Sequence, residues 1–373
     1  MNVLVTDLRY RMSLAAIRDL SEAGHTVYGL HYGSPAEPRP AAAFSRCLAG
    51  WRMAEDLDGA ARASAARSEA DRRDAVILPV GARTVAALSE ERDGDFLVPS
   101  PAQLRFAGDK SAVLALADKL GLETPAGWDG PGAAQAPAVI KYRDGEALGL
   151  HAAQRYTIVT KQEQLAPAYA KMAALAGTGG QQPPLIQQYV PGEGLGVSCL
   201  FDRESRPVAV ICHRRLREYP VDGGPSAACE AIWDDGLAER ALTLLRALSW
   251  RGVAMVEFKG TVERPVLMEI NPRIWGSFPL TRVAKSGFSE AYVRAAAGEE
   301  LPEAAGPTYE VGAKMGFRLS NMAAAAAYLK RGRLGECARA LRDARRLPDG
   351  VLDDRDPKAS RVYKRQAVLR RGR

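Results

Sequence analysis

Cysteines are few and widely spaced in this sequence. The five, Cys47, Cys199, Cys212, Cys229 and Cys337, include no Cys-x-x-Cys pair, which is the spacing that many zinc sites use. The same scatter gives no reason to expect disulfide bonds. We therefore predict that the cysteines are small core or surface residues and that the chain has no zinc site.

Long apolar runs are absent as well. No stretch of 18 uninterrupted apolar residues occurs, although a membrane-spanning helix needs about 20. Residues 1–7 have the pattern of a first β-strand and not that of a signal peptide. We therefore expect a cytoplasmic protein without a membrane-inserted segment.

The chain also lacks a basic surface pattern of the kind that binds nucleic acid. Of the net charge of +7, residues 361–373 contribute +6, because they hold six basic residues and no acidic one. No stripe of interleaved aromatic and basic residues occurs elsewhere, so we expect no nucleic-acid binding. The basic tail is predicted to be a solvated terminus, and contact with an acidic partner or a membrane surface is the alternative.

Short apolar runs alternate with helical patterns over residues 1–100. Strands are predicted near residues 3–5, 26–30 and 75–79, and a helix near residues 12–23. Strands separated by helices are typical of a parallel, doubly wound α/β sheet. No Gly-x-Gly-x-x-Gly follows the first strand, so a dinucleotide cofactor is not expected. With 373 residues, the chain should form two or three domains.

A row of polar residues lies along the short apolar segment 266–277, which we predict to form a strand. Glu269, Asn271 and Arg273 should share one face, while Met268 and Ile270 point into a core. Carboxylate and amide oxygens suit magnesium that is bound together with nucleotide phosphates, and an arginine suits an anion. The alternative is a half-buried edge strand whose polar face meets water.

A second strand, residues 251–259, carries Glu257 within an apolar run, and a short turn connects it to the Glu269 strand. Antiparallel pairing of the two strands would bring Glu257 and Glu269 together. Two adjacent carboxylates repel each other unless a cation lies between them. An ion pair with Lys259 or Arg273 is the alternative to a metal, but it leaves Asn271 without a role.

This strand pair resembles the metal-binding strands of the ATP-grasp superfamily. The resemblance extends to Asp109-Lys110-Ser111 at a helix start, to Gly121-Leu122-x-Thr124-Pro125 after that helix, and to Lys141 at the end of an apolar strand. It covers residues 100–285 by motif and residues 1–100 by pattern. It implies an α/β ATP-grasp fold with a Rossmann-like pre-ATP-grasp domain (1–100), a small lobe (101–185) and a large lobe with the metal site (186–305). A C-terminal helical extension with the basic tail (306–373) would follow. Within this extension, we predict helix over residues 323–346.

The resemblance also implies roles for individual residues. Two Mg²⁺ ions, or Mn²⁺ in their place, would be held by Glu257, Glu269 and Asn271, and the catalytic residues would be Arg273 and Lys141. The segment 184–193 would form the adenine hinge, although Gln187 and Gln188 stand where many relatives have Glu. The complete set expected to bind ATP and its metal is Lys110, Lys141, Gln187, Gln188, Tyr189, Val190, Glu193, Arg215, Glu257 and Glu269.

Three further segments are candidates for substrate or phosphate contacts. The basic strand that contains Arg215 and Arg217, with Arg214 on the other face, resembles that of carbamoyl-phosphate-synthase-like ATP-grasp ligases of unassigned substrate, and a solvated cationic face is the alternative. His213 beside it is expected to pack or to form a hydrogen bond. Residues 143–149 are predicted to be either a mobile phosphate-covering loop or a plain hairpin tip. The remaining candidates, which a solvated loop would equally explain, are Asp7, Arg9 and Arg11.

The resemblance implies an ATP- and Mg²⁺-dependent ligase. Such an enzyme activates a carboxylate as an acyl phosphate and condenses it with an amine, releasing ADP and phosphate. The expected partners are a small-molecule carboxylate and amine, and a homodimer is expected from the superfamily. A small-molecule kinase and a non-catalytic nucleotide-binding regulator are the alternatives. A biotin-carboxylase-like role is disfavoured, because residues 274–277 read Ile-Trp-Gly-Ser instead of Gln-Val-Glu-His.

Overall fold

Three β-sheets organise the residues that the structure describes. The structure is a computed structural model that describes residues 1–91, 94–143, 148–150, 154–180, 182–221 and 223–371. One sheet is parallel and two are antiparallel. Among the described residues, no helix has the length and apolarity that crossing a bilayer requires.

The N-terminal sheet is parallel, as the sequence predicts. Its strands are β1 (Asn2–Thr6), β2 (Thr26–Tyr32), β3 (Gly50–Ala54) and β4 (Ala75–Leu78), in the order β3-β2-β1-β4. The helices between and after them are α1 (Arg11–Glu22), α2 (Gly59–Arg73) and α3 (Ala82–Ser89), and a 3-10 helix covers Ala41–Phe44. The side chains of Val3, Leu4 and Val5 are fully buried, because helices cover both faces of a parallel sheet. The strand order changes direction beside β1, so its following loop borders a crevice.

Two helices connect this domain to the rest of the chain. They are α4 (Pro101–Gly108) and α5 (Lys110–Lys119). Ser100 and Gln103 form a reciprocal capping box at the start of α4. The Asp109 side chain accepts hydrogen bonds from the backbone N–H groups of Ser111 and Ala112, which fixes the start of α5. Lys110 is therefore the first residue of a well-capped helix, as predicted.

The smaller antiparallel sheet contains β5 (Gly127–Trp128), β6 (Ala138–Lys141), β7 (Tyr156–Val159) and β8 (Leu185–Gln188), in the order β5-β8-β6-β7. A 3-10 helix (Gln162–Gln164) and α6 (Leu165–Thr178) complete this lobe. Strand β8 pairs with both β5 and β6. The small lobe therefore continues through Gln188, past the lobe boundary that the sequence places at residue 185.

The larger sheet has six antiparallel strands and forms the floor of the candidate site. The strands are β9 (Glu193–Phe201), β10 (Pro207–Glu218), β11 (Ser226–Ile232), β12 (Gly252–Gly260), β13 (Pro265–Asn271) and β14 (Lys314–Gly316), in the order β13-β12-β9-β10-β11-β14. The helices α7 (Asp235–Ala247), α8 (Pro279–Val283) and α9 (Phe288–Ala296) accompany it. Ile211 and Val253 on one face share a core with the N-terminal domain. Val256 and Phe258 on the other face pack with α5 and α7.

At two places in this sheet, a register shift puts side chains on a different face from the one predicted. The register between β12 and β13 shifts after Glu257, which pairs with Glu269, so that Phe258 pairs with Leu267. Met268 is the extra residue and is only half-buried, while Leu267 takes the core position. The prediction that Met268 points into the core is therefore wrong, because a β-bulge changes the alternation.

The second irregularity lies in β10. The register with β11 shifts between Arg215 and Arg217. Arg215 forms ion pairs with Glu218 and Glu257, whereas Arg217 contacts Asn321 and Asp343. The prediction that Arg215 and Arg217 share a face is therefore wrong.

The C-terminal extension is helical and contributes β14 to the large sheet. Its helices are α10 (Arg318–Lys330), α11 (Leu334–Arg346) and α12 (Pro357–Arg371). The segment predicted as helical over residues 323–346 is thus two helices, broken at Gly332, which has a φ of +69° that favours glycine. Asp356, just before α12, accepts hydrogen bonds from Arg18 Nε at 3.0 Å and Ser45 Oγ at 2.7 Å. This buried contact ties the extension to the N-terminal domain.

Candidate active site

The paired strands β12 and β13 bring the three predicted metal ligands together. Glu257 and Glu269 are direct cross-strand neighbours. Asn271 Nδ2 lies 3.3 Å from Glu269 Oε1 and 3.5 Å from Glu257 Oε2. The carboxylates and the carboxamide therefore form one compact cluster on the face of the sheet that carries Met255.

Two lysines approach this cluster from outside the large sheet. Lys110 Nζ lies 3.5 Å from Glu269 Oε2 and donates to the carbonyl oxygen of Arg143 at 3.1 Å. Burial lowers the pKa of Lys141 to about 8, and the charge of Lys110 adds to this decrease, although Glu269 and Glu257 oppose it. A phosphate group beside Lys141 would favour its charged form. The site is thus built to receive anions between the lobes.

Arg215 reaches the cluster by crossing the central strand β9. Its Nη2 atom lies 2.5 Å from Glu257 Oε1, and its Nη1 atom lies 3.2 Å from Glu218 Oε1. A Cβ atom added at Gly194 would lie 2.7 Å from Arg215 Cδ, and one added at Gly196 would lie 2.3 Å from His213 Cε1. Because the two glycines have no Cβ atom, the side chains of Arg215 and His213 can extend across β9. The candidate residues predicted from the sequence do not include these glycines, although glycine inside a strand is a signal of close approach.

The two glutamates differ in their tendency to ionise. Burial would raise the pKa of Glu269, but the charges of Lys110 and Lys141 outweigh it and lower the pKa to about 2. Burial raises the pKa of Glu257, and the charge of Glu269 adds to this rise, although Arg215 opposes it. An additional cation between the carboxylates would stabilise the ionised form of both.

Arg273 lies just beyond the end of β13, near the same carboxylate. Its backbone N–H donates to the Asn271 carbonyl oxygen, and its Nη1 atom donates to that of Ile274 at 3.1 Å. Its charge contributes to the low pKa of Glu269. Arg273 therefore belongs to the cluster, although it follows a turn and does not continue the strand.

The predicted adenine hinge runs from β8 to β9. Gln187 is buried, and the backbone N–H groups of Gln188 and Tyr189 donate to Ala126 O and Pro137 O. These two donors are therefore used within the small lobe, while Val190 follows in the connection to β9. The adenine contact remains a prediction.

Glu193 occupies a different face of the large sheet. It alternates along β9 with Leu195, which lies in the core with Phe258, and its Oε2 atom is 3.9 Å from Arg214 Nη1. Arg214 also donates to Glu230. The structure therefore does not bring Glu193 to the carboxylate cluster, and its role in ATP binding stays a prediction.

His213 and Asp7 have structural partners. His213 is 2% exposed, and its Nε2 atom lies 3.1 Å from Ser277 Oγ. Burial, assisted by the charge of Arg215, lowers the pKa of His213 to about 3, so the imidazole is neutral at pH 7. Buried Asp7 accepts from Gly81 N–H at 2.9 Å and pairs with Arg62.

Of the predicted phosphate-covering loop, residues 144–147 lie outside the described part of the chain.

The carboxylate cluster fits magnesium by its chemistry. Among the described residues, no group of three or more His, Cys, Asp or Glu side chains could hold a metal ion; the cluster instead combines two carboxylates with a carboxamide. Asn271 Nδ2 points at both carboxylates, and rotation of the amide would present Oδ1 to a cation between them. Nucleotide phosphates would supply further oxygen ligands, as magnesium sites commonly require.

Comparison with known proteins agrees with this architecture. Residues 181–322 match the family model described as ATP-grasp in the biosynthetic pathway with Ter operon. A biotin carboxylase from Campylobacter jejuni, in complex with beta-gamma-ATP, is 16% identical with a TM-score of 0.64, over 83% of this chain and 74% of that chain. The biotin carboxylase domain of a thermophilic 2-oxoglutarate carboxylase, bound to bicarbonate, is 17% identical with a TM-score of 0.58, over 81% and 70%. No curated protein matches the sequence.

Proposed function

Because the chain has the ATP-grasp fold, we propose that it is an ATP- and magnesium-dependent carboxylate–amine ligase. It would activate a small-molecule carboxylate as an acyl phosphate, condense it with an amine and release ADP and phosphate. The observation that carries the proposal is the meeting of Glu257, Glu269 and Asn271 on the large sheet with Lys110 and Lys141 from α5 and β6.

The charges of this cluster support phosphoryl transfer. Lys110 and Lys141 would bind phosphate oxygens and neutralise the charge on the transferring group. Bound magnesium, held by Glu257, Glu269 and Asn271, would add charge neutralisation at the phosphates. Arg215 forms an ion pair with Glu257 from the β10 side of the sheet and so keeps that ligand in place.

The reaction would proceed in two displacements. An oxygen of the acid attacks the γ-phosphorus of ATP, the bond to the β,γ-bridging oxygen breaks, and ADP forms. The amine nitrogen then attacks the acyl carbon, and Arg273 stabilises the oxyanion. The bond between that carbon and the phosphate oxygen breaks, and the proton lost by the nitrogen passes to the departing phosphate. No protein nucleophile is needed, which is consistent with a His213 imidazole that is buried and bonded to Ser277.

The loop after Arg273 supports a ligase over a biotin-carboxylase-like activity. Ile274 and Trp275 are 1% and 2% exposed, and the Trp275 ring packs edge-on against Phe278 and Phe288. This segment therefore builds the core beneath the site and does not supply additional acid–base groups to it.

Isotope transfer tests the proposal directly. The protein is incubated with ATP, Mg²⁺ and panels of ¹⁸O-labelled carboxylic acids and amines, and the products are identified by mass spectrometry. We expect ADP, a condensed product and inorganic phosphate that carries one ¹⁸O atom from the acid. A stable phosphorylated product would instead establish a kinase, and AMP with pyrophosphate would refute the acyl-phosphate route.

A further inference from the structure

A helical hairpin near the C-terminus carries a large share of the exposed apolar side chains. It consists of α10, α11 and the turn at residues 331–333 between them, and we call it the C-terminal hairpin. Among the described residues, eight large apolar side chains are exposed, and four of them lie in this hairpin. They are Met322 (52% exposed), Leu329 (58%), Leu334 (66%) and Leu341 (39%). Single exposed apolar residues are normal, whereas a cluster of them indicates an interaction surface.

The two helices of the hairpin run antiparallel and pack against each other. Tyr328 on α10 and Ala340 on α11 lie in their shared core. The Arg217 guanidinium contacts Asn321 near the start of α10 and Asp343 near the end of α11, as an antiparallel pair requires. These buried contacts determine which sides of the two helices remain outside.

The exposed apolar residues form two rows on one side of the hairpin. Each helix has three of them at the spacing i, i+4 and i+7, which places them on one helix face. The rows are Met322, Ala326 and Leu329 on α10, and Leu334, Ala338 and Leu341 on α11. Leu329 follows the buried Tyr328 by one position, and Leu341 follows the buried Ala340, so each row is turned about 100° from the buried side of its helix. Because the helices are antiparallel, equal turns bring both rows to the same side.

Basic residues flank this apolar surface. Residues 318–346 hold eight basic and two acidic residues, a net charge of +6. The two acids are already paired, Glu336 with Arg333 and Asp343 with Arg217. Arg339 and Arg342 are exposed and each follow a member of the α11 row by one position. An apolar row beside a row of arginines is typical of a helix that lies in a membrane interface.

Charge and exposure decide between the possible occupants of this surface. A second copy docked through the same face would bring two surfaces of +6 together, and facing like charges disfavour association. In both rows the exposed fraction is greatest beside the turn, at Leu329 and Leu334. Apolar side chains that are most exposed at the end of a hairpin suit shallow insertion into a lipid surface better than they suit a groove for a partner helix.

We propose that the C-terminal hairpin binds the surface of an anionic lipid bilayer. Leu329 and Leu334 enter the headgroup region, and the arginines beside them contact lipid phosphates. The contact is peripheral, because α10 and α11 have 13 residues each and a membrane-spanning helix needs about 20. This binding goes beyond the proposed ligase reaction and does not depend on it.

Vesicle flotation with the full chain tests the proposal. One set of vesicles is phosphatidylcholine alone, and the other contains phosphatidylcholine and phosphatidylglycerol in equal amounts. We expect binding to the anionic vesicles that is at least tenfold tighter than binding to phosphatidylcholine and that weakens as added salt screens the charges. Leu329→Ser/Leu334→Ser removes apolar area and keeps every charge, and it should weaken binding to the anionic vesicles at least tenfold.

Leu175→Ser/Val311→Ser is the matched control. It removes two exposed apolar side chains outside the hairpin and should bind the anionic vesicles as the wild type does. Both double variants should unfold at nearly the wild-type temperature, because all four substituted side chains are exposed. A loss of binding in the hairpin variant alone would therefore not be a loss of folding.

The hairpin variant also separates this site from the basic tail. Residues 361–373 would attract anionic lipid by charge alone, and the variant leaves them intact. Equal binding of the hairpin variant and the wild type would therefore overturn the proposal, as would equal binding to both vesicle types or no binding of the wild type. A dimer in solution that dissociates in the hairpin variant would assign the surface to a second copy instead.

Discussion

Glu257 and Glu269 are each held by a cation from a different element. Arg215 comes from β10 and Lys110 from α5, so the two acids are balanced before any nucleotide binds. Magnesium binding would therefore have to share or exchange these contacts. The repulsion between the two adjacent carboxylates is thus offset by cations of the protein itself.

Replacement of Glu269 tests the metal assignment. Glu269→Gln removes a charged ligand between Lys110 and Asn271, and we expect kcat/KM for ATP consumption to fall by at least ~100-fold, about 3 kcal/mol of transition-state stabilisation. Thermal unfolding should show a retained fold. Glu263→Gln, in the exposed turn of the same hairpin, is the matched control, and similar activity of the two variants would contradict the assignment.

Lys141 should make ATP binding pH-dependent. Its pKa is about 8 in the free protein, so its positive charge is present below pH 8 and is lost as the pH rises through that value. Bound phosphate favours the charged form, so the Kd for ATP should rise above pH 8, by up to about tenfold per pH unit. Fluorescence titration with a nucleotide analogue between pH 7 and 10 measures this.

Lys141→Arg is the control for that dependence. Arginine stays charged over this range, so the increase in Kd above pH 8 should disappear in the variant. The same pH profile in both proteins would remove Lys141 from the nucleotide site.

At the scale of elements, period-two alternation predicts the β12–β13 hairpin and the meeting of Glu257 with Glu269. It does not predict the bulge at Met268 or the one that separates Arg215 from Arg217. Bulges depend on the twist and packing of neighbouring strands, which a single strand's pattern does not contain. The path of the Arg215 side chain over Gly194 cannot be predicted from one strand's pattern either, because it depends on the register between β9 and β10.

The glycines of β9 give a prediction at this scale. Gly196→Ala places a Cβ atom 2.3 Å from His213 Cε1, so we expect the free energy of unfolding to fall by about 1–3 kcal/mol. Urea denaturation measures the change. Gly127→Ala in β5, where no atom lies within 4 Å of the added Cβ, should be neutral or slightly stabilising, and equal losses would show that strand glycine itself is responsible.

At the scale of the whole molecule, the sequence predicts the parallel sheet and the β12–β13 pairing better than it predicts the contacts between distant segments. The alternation of strands and helices indicates the parallel sheet. The contact of Arg18 with Asp356 joins residues far apart in the chain, and no local pattern encodes it. The position of α12 beside the 3-10 helix Ala41–Phe44 follows from such contacts.

Loss of Asp356 should loosen this connection. Asp356→Ala leaves Arg18, whose side chain is 3% exposed, without its counter-charge, and removal of one partner from a buried ion pair costs about 3–5 kcal/mol. We expect a matching decrease in the free energy of unfolding, measured by urea denaturation. Asp354→Ala, two residues away and exposed, should change it little. Comparable losses in both variants would show that the pair does not hold the extension.

The extension attached by this contact has a net charge of opposite sign to that of the rest of the molecule. Residues 306–373 hold 17 basic and 7 acidic residues, a net charge of +10, whereas residues 1–305 hold 34 basic and 37 acidic residues, a net charge of −3. The isoelectric point of about 9.2 therefore describes neither part. A cation exchanger will retain the protein by one end, and copies in dilute buffer will attract each other head to tail. Salt near 0.15 M shortens the range of that attraction to about 8 Å, so apparent size in solution will depend on ionic strength.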